Sequence, residues 1–127
     1  MYDLYSDQTS LSLIQSFAVA KKPVAAVCHG PAVLVNATTP SGTPLLAGAE
    51  VTAFSNVEED QVQLSSIMPF MLEDELKRVG ARYVRAEPWA EKVVVSSVHE
   101  LGGVVVTGQN PASATGVGKA ILKALGL

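Results

Sequence analysis

The chain has 127 residues, nine basic against twelve acidic, for a net charge of −3, a length that suits one domain. Apolar residues make up 48% and charged residues 17%, which excludes a disordered chain, and the two basic pairs, Lys21-Lys22 and Lys77-Arg78, are too few to read as a nucleic-acid surface. No apolar run is long enough for a membrane span, and MYDLYSDQTS at the start has neither the basic nor the apolar region of a signal peptide.

In chain order, Leu11, Ile14, Phe17 and Ala18 follow helical spacing after the candidate caps Asp7 and Ser10. Lys21-Lys22 suits a helix C-terminus, and Pro23 stops the helix. Val24 to Cys28 is a short, fully apolar run, the pattern of a central parallel strand covered on both faces. Pro31 then opens a helix over 31–37 at its first position. Thr38 to Gly48, with its TTPSGTP, reads as a loop. Glu50 to Phe54 reads as a strand, and Asn56 to Leu64 as a short helix or turn. Pro69 to Val79 is a helix with Leu72, Leu76 and Val79 on one stripe, acids early, bases late and Gly80 at its end. Ala81 to Ala86 reads as a strand. Lys92 to Val98 and Gly103 to Thr107 are β-branched runs that read as adjacent strands. Gly108 to Pro111 makes a turn, and Ser113 or Thr115 caps a last helix carrying Val117, Ile121, Leu122 and Leu125. The alternation predicts a three-layer α/β fold.

The chemistry concentrates in Ala25-Ala26-Val27-Cys28-His29-Gly30-Pro31. An apolar strand delivers a cysteine to a sharp turn, with small residues two before it and two after it. That is the shape of a nucleophile elbow, a strained strand-to-helix turn that exposes one side chain. A helix starting at the thiol lowers its pKa. His29 supplies a base, and its backbone N–H supplies an oxyanion donor. The acidic run Val57-Glu58-Glu59 contains a candidate acid, and helical geometry lets only one of Glu58 and Glu59 face His29. The bland readings are a buried cysteine beside an ordinary turn and carboxylates decorating a helix start. One cysteine forms no internal disulfide, which suits a reducing, cytoplasmic setting. One cysteine and two histidines make no zinc set.

AAVCHGPAVL, VTAFSNVEE, PFMLEDELKRVGARY and VVVTGQNPASA together resemble the PfpI superfamily of glutamine-amidotransferase-like α/β proteins. The likeness is to its heat-shock chaperone and glutathione-independent glyoxalase branch. The resemblance implies a flavodoxin-like, mainly parallel sheet between helices. It implies Cys28, His29 and Glu59 as the catalytic residues, Glu59 matching the acid that follows the family's F-[ST]-[DN]-x-x pattern. It also implies conversion of methylglyoxal to lactate with no metal or cofactor, and a homodimer. His99-Glu100 lacks the His-x-Glu spacing of true glutamine amidotransferases. Trp89, after Pro88, matches the family and reads as packing, while the GQNPASA stretch reads as the turn into the last helix.

Family members are longer, and this chain starts in what looks like their middle. By that resemblance the fold is N-terminally incomplete. The other half carries the first strands, a glutamate that bonds the thiol, and a Gly-Gly-His-Gly segment with a second oxyanion donor. The Cys28 strand then loses a neighbour on one edge. The family also makes a shorter turn where this chain has Ser96 to Gly102. Other readings are a stress chaperone or thiol redox sensor without turnover, an inactive truncated paralogue, and an amidase or peptidase.

Overall fold

The computed structural model describes residues 1–127. Asp7 opens α1 (Gln8–Val19), its carboxylate accepting from the Ser10 amide at 2.7 Å. That satisfies one of the amides a helix start leaves without a carbonyl. Ser10 itself lies inside the helix. Ala18 is buried, whereas Leu13 and Phe17 are exposed on a face that continues into Pro23, Val24 and Ala25 as an apolar groove.

The chain then enters β1 (Val24–Val27), which pairs in parallel with β5 (Val104–Gly108), Val24 opposite Val105 and Val27 opposite Gly108. Antiparallel β4 (Val93–Ser97) covers the other side of β5, with Val95 opposite Val106. The order is β1-β5-β4. β5 is thus the middle strand, and its Val105 to Gly108 are buried. The apolar run of β1 predicted a central strand, but β1 lies at the edge and Ala25 is exposed. Apolar composition marks a strand that wants two covered faces, and these 127 residues supply one neighbour. Val98 to Gly103 closes a true antiparallel hairpin, with the Val98 amide donating to the Gly103 carbonyl at 2.8 Å.

A second parallel pair joins β2 (Glu50–Val51) to β3 (Arg82–Tyr83). Both are shorter than the 50–54 and 81–86 strands predicted, because their flanking amides bond elsewhere. The Thr52 amide donates to the Thr107 hydroxyl, Phe54 to the Cys28 carbonyl, and Ala86 to the Gln109 side chain.

Between them lie α2 (Asn56–Gln61) and α3 (Leu72–Arg78). α3 begins three residues later than predicted but buries Leu72 and Leu76 as its stripe requires. The helix expected over 31–37 is a five-residue 3-10 turn, Gly30–Leu34, opened by Pro31. Its Ala32 and Val35 amides reach back three residues, to His29 and Ala32, so no full α-turn forms. The chain closes with a 3-10 turn, Pro111–Ser113, and α4 (Ala114–Ala124). Ser113 precedes α4 without capping it. Its hydroxyl instead accepts from the Lys92 amide at 3.1 Å.

The core joins Leu34, Leu45, Leu46, Val51, Leu76, Val98 and Val105. Cys28 and Gly108 lie at the C-terminal ends of β1 and β5, where ligands gather in open α/β sheets. No helix is long and apolar enough to cross a membrane.

Candidate active site

Cys28 is the first residue past β1, and it adopts φ +63°. This left-handed conformation crowds a β-carbon, so only outside constraints hold a cysteine there. Two backbone bonds supply them. The Cys28 amide donates to the Gly108 carbonyl at 2.9 Å, and the Cys28 carbonyl accepts from the Phe54 amide at 2.9 Å. The small residues around it have a steric reason. A β-carbon on Gly30 would stand 3.3 Å from that of Ala26. The elbow expected from the small-x-Cys-x-Gly pattern is present.

The turn sets the thiol beside the next side chain. Cys28 Sγ lies 3.4 Å from His29 Nδ1, and His29 Nε2 lies 2.6 Å from Glu59 Oε2. A carboxylate only accepts, so Nε2 carries the proton and Nδ1 is left to accept from the thiol. Glu59 is 3% exposed, and its second oxygen, Oε1, is buried with no protein donor. The His29 ring leans on Phe54 with centroids 4.5 Å apart, and Phe54 meets Trp89 edge-on at 5.6 Å.

Glu58 turns the other way and is fully buried. One oxygen completes a capping box, accepting from the Ser55 amide at 3.0 Å and its hydroxyl at 2.7 Å. The other accepts from the Trp89 amide and the Asn110 side chain, both at 2.8 Å. Burial pushes the Glu58 carboxyl up, but the Ser55 and Trp89 amides, the Asn110 side chain and the Ser55 hydroxyl outweigh it and hold it below the usual range. Of the two acids, therefore, Glu59 meets His29 and Glu58 does not.

Electrostatics correct one expectation. The thiol was expected to be lowered by a helix start. Instead burial pushes Cys28 up, and the charges of Glu58 and Glu59 add to that, against a lowering bond from the His29 amide. The segment after the thiol is a 3-10 turn of five residues, too short for a strong dipole. The thiol is therefore held neutral, within reach of a base.

Met1, Tyr2, Asp3 and Leu4 form one wall of a cleft whose opposite side is His29, Gly30 and Val33. The Tyr2 hydroxyl anchors that wall by donating to the Ile67 carbonyl at 2.5 Å. Nothing in the sequence pattern marked this wall, nor Phe54 against the imidazole. Asn110, read as a turn residue, is fully buried and donates to both Glu58 and the Ala90 carbonyl. Trp89, read as packing, is 45% exposed, with its indole donating to Gln61 at 2.6 Å. His99 is exposed and apart from the site. Its neighbour Glu100 accepts from the Thr39, Ser41 and Thr43 hydroxyls, tying the hairpin to the 38–44 loop. No group of three or more His, Cys, Asp or Glu is placed to hold a metal ion.

No protein-family model matches the chain. It is 36% identical over 110 residues to a probable glutathione-independent glyoxalase of Schizosaccharomyces pombe, covering 80% of this chain and 40% of that protein. It is 38% identical over 97 residues to a glutathione-independent glyoxalase of Saccharomyces cerevisiae, covering 72% and 38%. A glutamine amidotransferase-like class 1 domain-containing protein of Bos taurus is 34% identical over 113 residues, covering 89% and 49%. Among solved structures, glyoxalase III of Candida albicans superimposes with a TM-score of 0.86 at 28% identity, covering 97% of this chain and 52% of that one. The chain thus spans about half the length, or less, of the relatives it matches.

Proposed function

The chain belongs to the PfpI superfamily of glutamine-amidotransferase-like proteins, in its glutathione-independent glyoxalase branch, and on that premise we propose that Cys28, His29 and Glu59 are the catalytic residues of a glyoxalase converting methylglyoxal to lactate. The observation that carries this reading is the continuous Sγ–imidazole–carboxylate contact set on a strained turn.

Each group has a role its geometry suits. Cys28 Sγ attacks the aldehyde carbon, forming a C–S bond, while His29 Nδ1 takes the thiol proton. The former carbonyl oxygen takes up a proton, giving a hemithioacetal, with the His29 backbone N–H donating to the developing oxyanion. His29 then removes the proton from that carbon, and a proton is returned to the neighbouring ketone carbon through an enediol. The result is an S-lactoyl thioester on Cys28. Water cleaves its C–S bond, releasing lactate and restoring the thiol. Throughout, Glu59 holds Nε2 and stabilises the imidazolium. A thiol pushed up by burial favours this general-base route over a redox sensor, which needs a lowered, accessible thiol. The proposal extends to one partial domain acting as a homodimer in the cytoplasm. The single free cysteine suits that compartment.

The test is lactate formation from methylglyoxal, followed by proton NMR. The wild-type chain forms lactate, and Cys28→Ala lowers the rate about 10⁴-fold or more, as removal of a nucleophile does. A Cys28→Ala protein that still forms lactate at the wild-type rate, or a folded wild-type chain that forms none, overturns the reading.

A further inference from the structure

Glu58 is fully buried, yet it forms no ion pair. A charge in that position is tolerated only when hydrogen bonds replace its water. Four donors do so, and they come from three separate segments. A capping box alone would use the Ser55 contacts on Oε2. The Oε1 contacts to the Trp89 amide and the Asn110 side chain have no part in starting α2.

Each of the three segments bears on the thiol–imidazole–carboxylate set. Ser55 starts the turn of α2 that carries Glu59 toward His29. Trp89, held at φ +66°, lays its ring against Phe54, which in turn lies against the imidazole. Asn110 follows β5, whose Gly108 carbonyl holds the Cys28 amide. We propose that Glu58 is the positioning residue of this centre, its buried carboxylate clamping together the three segments that aim His29 at the thiol. The inference rests on reading Cys28, His29 and Glu59 as the reactive set, and it is independent of the substrate.

The chemistry requires a carboxylate. All four partners donate, and a carboxylate offers only acceptors. A glutamine amide would turn two donors of its own toward one pair of them, and buried donors facing donors force the segments apart.

The experiment uses the His29 Nε2 proton bonded to Glu59, observed by NMR on the 127-residue chain. The chain has two histidines, and exposed His99 serves as the internal control. Glu59→Gln identifies the His29 signal by removing it. Glu58→Gln, checked for folding by circular dichroism, is expected to lose the signal as well, leaving His99 unmoved. A folded Glu58→Gln chain that keeps the signal at its wild-type position and exchange rate overturns the proposal. Where Glu58→Gln fails to fold, Asn110→Ala decides, since it removes one donor from Oε1 and leaves the cap and the charge in place. Exchange of the His29 proton about tenfold faster in that variant supports the clamp, and unchanged exchange refutes it. No aldehyde is present, so a chain that makes no lactate yet loses the signal keeps this inference and sinks the glyoxalase reading. A chain that makes lactate and keeps the signal does the reverse.

Discussion

The strain at Cys28 can be weighed with two substitutions that differ by one methyl group. Cys28→Ala and Cys28→Gly both remove the thiol and its contact with His29. At φ +63°, alanine keeps the clash between β-carbon and backbone, about 1–2 kcal/mol for an L-residue in the left-handed region. Glycine escapes it, but loses about 0.5–1 kcal/mol more backbone freedom on folding. Cys28 is only half-buried, so the missing methyl group forfeits little packing. The balance leaves Cys28→Gly more stable than Cys28→Ala by about 1 kcal/mol, or about 4 °C in Tm for a chain of this size. Thermal melts of the two variants, followed by circular dichroism at one pH, read this difference directly. A Cys28→Ala protein that melts as high as Cys28→Gly would mean that the turn is relaxed, and that the two backbone bonds at Cys28 hold nothing against its preference.

Two further outcomes follow from the same region. A β-carbon on Gly108 would stand 2.7 Å from Val117 Cγ2 and 2.9 Å from both Ser113 Cβ and Val27 Cγ2. Gly108→Ala should therefore cost about 2 kcal/mol by overpacking; denaturant titration giving under about 0.5 kcal/mol would show that β5 and α4 part freely. Burial raises the Cys28 thiol, so at neutral pH less of it is thiolate than in a free peptide. Iodoacetamide should alkylate it more slowly than a peptide cysteine, with a rate–pH midpoint above the usual value of about 8.5. A midpoint below that value would restore the activation by a helix start that the sequence suggested.

The elbow was legible because its requirements are local. A strand that ends in a tight, left-handed turn needs small neighbours, and Ala26 and Gly30 declare them. The pairing of Glu59 rather than Glu58 with His29 was also partly written there. Ser55-x-x-Glu58 is a capping-box spacing, which claims Glu58 for the helix start and leaves its neighbour free. Other features depended on distant partners. The apolar composition of Val24 to Val27 is the same whether one flank or two is occupied, so composition hid its edge position, and only the resemblance to longer proteins pointed to it. Thr52 and Phe54 look like strand residues, but their amides are taken by Thr107 and Cys28, so the ladder stops at Val51. Asn110 carried a turn signal that was correct, and its second task at Glu58 lies 52 residues away.

The hydrogen bond from the Cys28 amide to the Gly108 carbonyl also sets an order of events at the ribosome. β1, which leads into Cys28, leaves the ribosome about 80 residues before the end of β5 that holds its turn in place, some seconds at about 5–20 residues per second. During that interval the cysteine rides on an unfinished chain, with neither the burial nor the carboxylates that later restrain it. The thiol is thus most open to stray electrophiles before the chain has folded around it.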